Sequence, residues 1–108
     1  QMTVDEVTKL GINKIIVMTH HGYDDDKRMA AKWKGVDLII GGHSHTPLGT
    51  PNLEGWRASG GPYPTYVKNE AGEEIPIVQA WEWGKVMGKI TLEFDAKGKI
   101  KKVPEATA

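Results

Sequence analysis

The sequence predicts a mixed α/β (α+β) domain, built from a βαβ unit followed by antiparallel strands. Two short aliphatic runs, at residues 14–19 and 36–40, flank a segment whose apolar side chains have helical spacing. Strand, helix and strand in succession within about 30 residues are typical of one βαβ unit with two parallel strands. Farther along, residues 90–94 alternate apolar and polar side chains, as a half-buried antiparallel strand does.

The first predicted element is a short helix near the amino terminus. Thr3 and Glu6 have the spacing of a capping box, in which a hydroxyl and an acid three residues later satisfy the first backbone amides. Apolar residues follow at helical spacing between 4 and 10, and Gly11 suits the left-handed position after a helix. A helix this short needs a sheet to pack against.

The βαβ unit follows. Residues 14–19 (KIIVMT) and 36–40 (VDLII) contain apolar runs without alternation, so both strands are predicted to be covered on both faces. Between them, aspartates at 24–26 suit the positive amino-terminal end of a helix, and an apolar stripe extends to Trp33. Gly35 is predicted to end this helix.

The second half of the chain is predicted to form an irregular connection followed by hairpins. Residues 44–64 have four prolines and no periodicity, which predicts a long loop. Four strands are then predicted, at residues 65–68, 75–80, 90–94 and 100–103. Turns are predicted at 69–72 and 95–98, and residues 104–108 show no pattern. With so few helices, one face of such a mixed sheet would be poorly covered.

Composition excludes several classes of protein. The chain has 108 residues, about the size of one small domain. Its 14 basic and 14 acidic residues give a formal net charge of zero, which argues against nucleic acid as a partner. No apolar run approaches the roughly 18 residues of a membrane span, so no membrane partner is predicted, and residues 1–2 lack a signal-peptide pattern. The absence of cysteine excludes disulfides, thiolate ligands and cysteine nucleophiles.

All four histidines follow the two strands of the βαβ unit. His20 and His21 come after the first strand, and His43 and His45 come after the second. Ligand sites in open α/β sheets form at the carboxyl ends of parallel strands, so these imidazoles are expected at one edge. A single histidine in a polar turn is more often a simple hydrogen-bonding residue. Four at adjacent strand ends favour a metal site instead.

These histidine segments also resemble a known family. Residues 41–46 (GGHSHT) match the Gly-His-x-His element of calcineurin-like metallophosphoesterases, and residues 19–23 (THHGY) resemble the Thr-His-x-Gly-Tyr element of the 5′-nucleotidase branch. Three further segments follow that branch in order and spacing: YPT at 63–65, IPIVQAWEWGK at 75–85 and FDAKG at 94–98. The resemblance extends over residues 3–103 and is specific for the 5′-nucleotidase family.

The resemblance implies a fold, an activity and a set of ligands. The chain would be half of a metallophosphoesterase αββα sandwich, from a periplasmic or extracellular enzyme that hydrolyses nucleotide phosphate esters with a metal-bound hydroxide. Two divalent ions, such as Zn, Mn or Co, would share the site. His20 and His43 would bind one ion and His45 the other. His21 would contact phosphate, support a ligand or remain solvated.

Several elements of the family's site have no counterpart in this sequence. The family's other ligands come from an earlier Asp-x-His, a Gly-Asp and an Asn-His-Glu or Asn-His-Asp element, but no histidine precedes His20 and the only earlier aspartate is Asp5. The bridging carboxylate and the leaving-group acid are therefore missing. Residues 1–108 are expected to be a partial catalytic domain, without the amino-terminal ligand half and the nucleoside-binding carboxyl-terminal domain, and inactive alone.

A non-catalytic alternative is a metal-binding or self-associating module. Half of a domain exposes strand edges and apolar faces that recruit other chains. Residues 46–64 are a candidate hinge, through which the later strands could pair with a second copy to give a strand-swapped homo-oligomer.

Other motifs indicate less. The aspartates at 24–26 could bind a cation, although such residues are more often solvated and compensate a helix dipole. Trp56, Trp81 and Trp83 could stack on a base, although indoles more often pack in a core. The glycines at 41–42 lack the lysine and the spacing of phosphate-binding glycine motifs.

Overall fold

The computed structural model describes residues 1–50, 53, 55 and 58–108, which form two helices and six strands. Helix α1 spans Met2–Lys9 and helix α2 spans Tyr23–Ala30. The strands are β1 (Ile16–Met18), β2 (Leu38–Ile40), β3 (Thr65–Lys68), β4 (Glu74–Val78), β5 (Lys89–Phe94) and β6 (Ile100–Thr107). Trp56 and part of the predicted hinge at 46–64 lie outside the described residues.

Four strands form a mixed sheet in the order β1-β2-β4-β3. The predicted α/β class and the parallel pairing of β1 with β2 are confirmed. Strand β4 also pairs in parallel with β2, so the β3–β4 hairpin extends the sheet of the βαβ unit rather than forming a separate meander. Strands β5 and β6 form a second, two-stranded antiparallel sheet.

The core lies between α2 and the mixed sheet, where α2 packs closest to β3 and β4. Its best-buried side chains are aliphatic: Ala30, Ile39, Leu48, Ile75 and Ile77. The predicted coverage on both faces holds for β2 but is wrong for β1, where Ile16 is 53% and Met18 is 80% exposed. Strand β1 is an outer strand of the sheet, so its apolar composition reflects a face that the described residues leave open.

The helix boundaries differ from the predicted ones. Helix α1 begins at Met2, which places Thr3 inside the helix, and the predicted capping box is therefore wrong. The Gln1 side chain instead binds Asp5 and the backbone of Lys34, which anchors α1 to the segment after α2. Gly11 takes the expected left-handed conformation, with φ of 84°. Helix α2 ends at Ala30, well before Gly35, although Trp33 still packs against the core.

The last hairpin is longer than predicted. Strand β6 continues to Thr107, so the predicted end of this strand at residue 103 is wrong. The strand extends this far because it pairs with β5, and the sequence of residues 104–108 by itself does not predict that pairing. The predicted turn at 95–98 is confirmed, because the Asp95 carboxylate accepts the amide protons of Lys97 and Lys99. Neither described helix is long and apolar enough to cross a bilayer.

Glu73 joins three parts of the structure. Its carboxylate accepts hydrogen bonds from the Gly35 amide after α2, from the Asn69 side chain in the β3–β4 turn and from the Lys99 ammonium in the β5–β6 turn. The Lys99 contact is the largest cause, and together these donors outweigh partial burial and lower the pKa of Glu73 from 4.5 to about 2. A carboxyl group whose pKa falls on folding stabilises the fold when it is ionised.

We therefore expect Glu73→Gln to make unfolding less dependent on pH. At neutral pH the substitution should lower the free energy of unfolding by about 1–2 kcal/mol, a value reduced for the partial exposure of the group. The stabilisation is present above pH 4.5 and is lost as pH falls from 4.5 towards 2, so variant and wild type should converge in that window. Urea unfolding at several pH values measures this.

The exposed neighbour provides the control. Glu74→Gln removes the same charge at the next residue but none of the three hydrogen bonds of Glu73, so it should lower the free energy of unfolding at neutral pH much less. If Glu73→Gln lowers the free energy of unfolding by the same amount at pH 7 and at pH 3, the electrostatic explanation is contradicted.

Candidate metal centre

His20 and His43 meet at the carboxyl edge of the parallel strands. Their ring centroids are 5.1 Å apart in an edge-to-face arrangement, and both side chains are exposed to solvent. His20 follows the end of β1, and His43 follows β2 after two glycines. Gly42 permits this approach, since a Cβ there would lie 3.3 Å from Nδ1 of His20. The expected convergence of these two imidazoles is confirmed.

His45 lies in a different environment. Its Nδ1 is 3.2 Å from a carboxylate oxygen of Glu82, and its ring is 5.2 Å from that of Trp83 in an edge-to-face contact. Among the described residues, no group of three or more histidine, aspartate or glutamate side chains is close enough to hold a metal ion. The structure thus groups His20 with His43 and pairs His45 with Glu82, a partner that the sequence does not predict.

His21 lies at the surface beside helix α2. It is exposed and lines a shallow depression with Asp25, Arg28 and Trp33. Asp25 is itself ion-paired with Arg28. The surroundings of His21 are therefore those of a solvated surface residue.

Asp26 is fully buried beneath the histidine turns. Oδ1 accepts a hydrogen bond of 2.7 Å from the Thr19 hydroxyl, and Oδ2 has no hydrogen-bond donor among the described residues. Oδ2 lies so close to Gly41 that a Cβ there would overlap it. The expectation that the aspartates at 24–26 are solvated is therefore wrong for Asp26. This carboxylate connects α2 to the ends of both parallel strands.

Ser44 connects the second histidine turn to helix α2. Its Oγ accepts the Tyr23 amide proton at 3.0 Å and lies 2.7 Å from the Thr46 hydroxyl. His43 and His45 flank this serine with φ values of 70° and 49°. Non-glycine residues take this left-handed conformation rarely, and surrounding contacts must hold it. Contacts with the rest of the structure therefore hold the conformation of the turn that carries both histidines.

The donor set is suited to part of a metal site. Two neutral imidazoles can supply two nitrogen ligands to one borderline ion such as Zn²⁺, which usually takes four ligands. His45 has its Nδ1 against a carboxylate, an arrangement common for metal-binding histidines because it orients Nε2 as the ligand. The described residues therefore offer some, but not all, of the ligands that a metal ion needs.

Comparisons with known proteins extend this description. No protein-family model matches the chain. It is 43% identical to 5′-nucleotidase of Bos taurus and 41% identical to that of Homo sapiens, in each case over 100 residues, or 93% of this chain and 17% of the relative. The crystal structure of the 5′-nucleotidase precursor from Thermus thermophilus superposes with a TM-score of 0.91 at 47% identity. NAD nucleotidase of Haemophilus influenzae superposes with a TM-score of 0.88 at 27% identity.

Each superposition covers 98% of this chain and 21% of the solved structure. The chain thus spans about a fifth of the length of the proteins that it matches.

Proposed function

We propose that this chain, which corresponds to one segment of the 5′-nucleotidases, supplies part of the metal centre of a hydrolase that acts on nucleotide phosphate esters. The observation that supports this most is the pairing of the His20 and His43 imidazoles, with ring centroids 5.1 Å apart, at the carboxyl edge of β1 and β2. Divalent ions bound there would polarise a phosphate ester and lower the pKa of water. Similarity also suggests a periplasmic or extracellular location.

The three histidines would have different roles. His20 and His43 would bind one ion through ring nitrogens of their exposed side chains. His45 would bind a second ion through Nε2, while Glu82 orients the ring from Nδ1. Residues 1–108 would then be a partial catalytic domain whose remaining ligands, above all a bridging carboxylate, come from a part of the enzyme that this sequence does not contain.

We expect the chain to bind Zn²⁺ through the histidine pair. Single substitutions His20→Ala and His43→Ala should each weaken Zn²⁺ binding by about 10-fold or more, because even residues that only orient ligands cost about 10–100-fold when removed. Isothermal titration calorimetry with Zn²⁺ measures this. His21→Ala is the matched control, since it removes an exposed imidazole beside His20 and should change the affinity little. Equal losses in all three variants would contradict the assignment.

We expect residues 1–108 alone to release little or no phosphate from a nucleoside monophosphate, with Zn²⁺, Mn²⁺ or Co²⁺ added. Two-ion catalysis needs a carboxylate that bridges the ions and a group that protonates the leaving oxygen, and the elements that carry them in the family are missing from this sequence. Phosphate release is assayed beside intact-mass analysis of the same sample. Turnover by material of the expected 11.9 kDa would contradict the proposal.

A second candidate is a self-associating module without catalysis. It is favoured by the exposed apolar side chains of the outer strand β1, Ile16 and Met18, because an uncovered strand of this kind can pair with another chain. A homo-oligomer formed by strand exchange would cover them. A mass that rises with concentration in light scattering, and that Met18→Lys lowers to the monomer, distinguishes this candidate from a monomeric metal-binding segment.

A further inference from the structure

Gln79 lies buried at the same sheet edge as the histidines. It directly follows β4, the strand that pairs in parallel with β2, and only 3% of the residue is exposed. A buried side-chain amide is unfavourable unless both its oxygen and its nitrogen form hydrogen bonds. The partners of this amide therefore show what it holds in place.

Both ends of the Gln79 amide bind the turn that carries the histidines. Nε2 donates to the Gly42 carbonyl at 3.2 Å. Oε1 accepts the Thr46 amide proton, and it also accepts the Ser44 hydroxyl at 3.3 Å. The amide thus contacts one residue before the two histidines, one between them and one after them.

These hydrogen bonds restrain the backbone of the turn that contains the two proposed ligands, His43 and His45. His43 and His45 both have positive φ, a conformation that side chains other than glycine disfavour. A donor and an acceptor on one planar group hold the two ends of this turn at a set separation. An ionised glutamate would keep the acceptor but lose the donor, and methionine would offer only a weak sulfur acceptor.

We propose that Gln79 is a positioning residue for the metal centre, which fixes the turn from Gly42 to Thr46 so that His43 and His45 present their imidazoles to the site. Its described hydrogen bonds are to the backbone and to a hydroxyl, so it acts through the turn and is not a ligand. The inference rests on the proposed function for its metal, but the positioning of the turn can be measured without one.

Asn69 supplies a matched control. It is an equally buried amide, 5% exposed, at the other end of the β3–β4 hairpin. Its oxygen accepts the amide protons of Ala71 and Glu73, and its nitrogen donates to the Trp33 carbonyl and the Glu73 carboxylate. It therefore stabilises a turn as Gln79 does, but at a place remote from the histidines along the strand.

The experiment compares Gln79→Met and Asn69→Leu, which replace each amide with an apolar group of similar size, and Gln79→Glu, which keeps the acceptor. Three quantities are measured on the full chain: urea unfolding, hydrogen exchange at the Thr46 amide and the affinity for Zn²⁺. Both apolar variants should lose stability. Only Gln79→Met should accelerate exchange at Thr46, whose amide loses its acceptor, and only this variant should weaken Zn²⁺ binding, by about 10-fold or more, as expected for a group that orients ligands. Gln79→Glu should fall between Gln79→Met and wild type in both.

The outcomes separate the two proposals. Unchanged Thr46 exchange in Gln79→Met, or an equal loss of Zn²⁺ affinity in Asn69→Leu, would overturn the positioning role. If wild type binds no Zn²⁺, the proposed function is wrong, and Thr46 exchange alone then decides whether Gln79 holds the turn. If Gln79→Met does not fold, Gln79→Glu is compared with wild type by the same readouts.

Discussion

Replacing Ile39 with alanine is expected to destabilise the chain by about 2–5 kcal/mol, the usual range for truncating a buried isoleucine. Ile39 is fully buried in the middle of β2, where it pairs with Val17 of β1 on one side and with Ile77 of β4 on the other. Alanine leaves a cavity between the sheet and α2. Domains of this size are typically stable by about 5–15 kcal/mol, so the loss is large enough to unfold a marginal one.

Ile16→Ala is the matched control for this prediction. It makes the same chemical change in the neighbouring strand at a residue that is 53% exposed, and it should cost less than about 1 kcal/mol because little buried surface is removed. Urea unfolding followed by circular dichroism measures both variants. Losses of equal size would mean that β1 is as well covered as β2, contrary to the exposure of its side chains.

The substitution Gly41→Ala is expected to cost about 3 kcal/mol, at the upper end of the range for overpacking a core. The added methyl group would overlap Oδ2 of Asp26, which is fully buried and whose Oδ1 is bound by Thr19. Neither the carboxylate nor the backbone that follows β2 can move without breaking a hydrogen bond, because the Gly41 amide donates to Val78. The overlap therefore cannot relax cheaply.

A double-mutant cycle with Asp26→Ala tests the cause. Removing the carboxylate makes room for the methyl group, so Gly41→Ala should cost much less in the Asp26→Ala background than in wild type. Unfolding free energies of the four proteins give the coupling. A cost that is the same in both backgrounds would show that the backbone at Gly41, and not the carboxylate, requires glycine.

Local patterns were sufficient for the elements whose signals lie within a few residues. The apolar run that ends at Ile40 predicts a buried strand, and it forms one. The turn through Asn69 and Gly72 and the turn at Asp95 are also found where the residues predict them. Alternation in β5 holds as well. Each of these depends on backbone preferences and periodicity, which are properties of short segments.

The wrong predictions concern segments whose structure depends on other parts of the chain. Strand β6 extends to Thr107 because β5 lies beside it, and the apolar residues of β1 are exposed because the described chain places nothing over them. Helix α1 begins earlier than its capping pattern predicts, since the Gln1 side chain binds the backbone of Lys34. The residues that pair with 105–107 and the residue that Gln1 binds all lie more than ten positions away in the sequence.

The residues of the candidate site also fall into two groups, those that the sequence predicts and those that it does not. His20 and His43 could be predicted from the sequence, because two parallel strands deliver the residues after them to one edge. Asp26, Gln79 and Glu82 could not, because a carboxylate in an acidic run, an amide after a strand and a glutamate between tryptophans look like ordinary surface residues. Their roles come from burial and from hydrogen bonds to residues far away in the chain. The sequence alone determined which side chains could bind a metal; the tertiary structure decided which of them meet and what holds them, since distances between separate segments are set by packing.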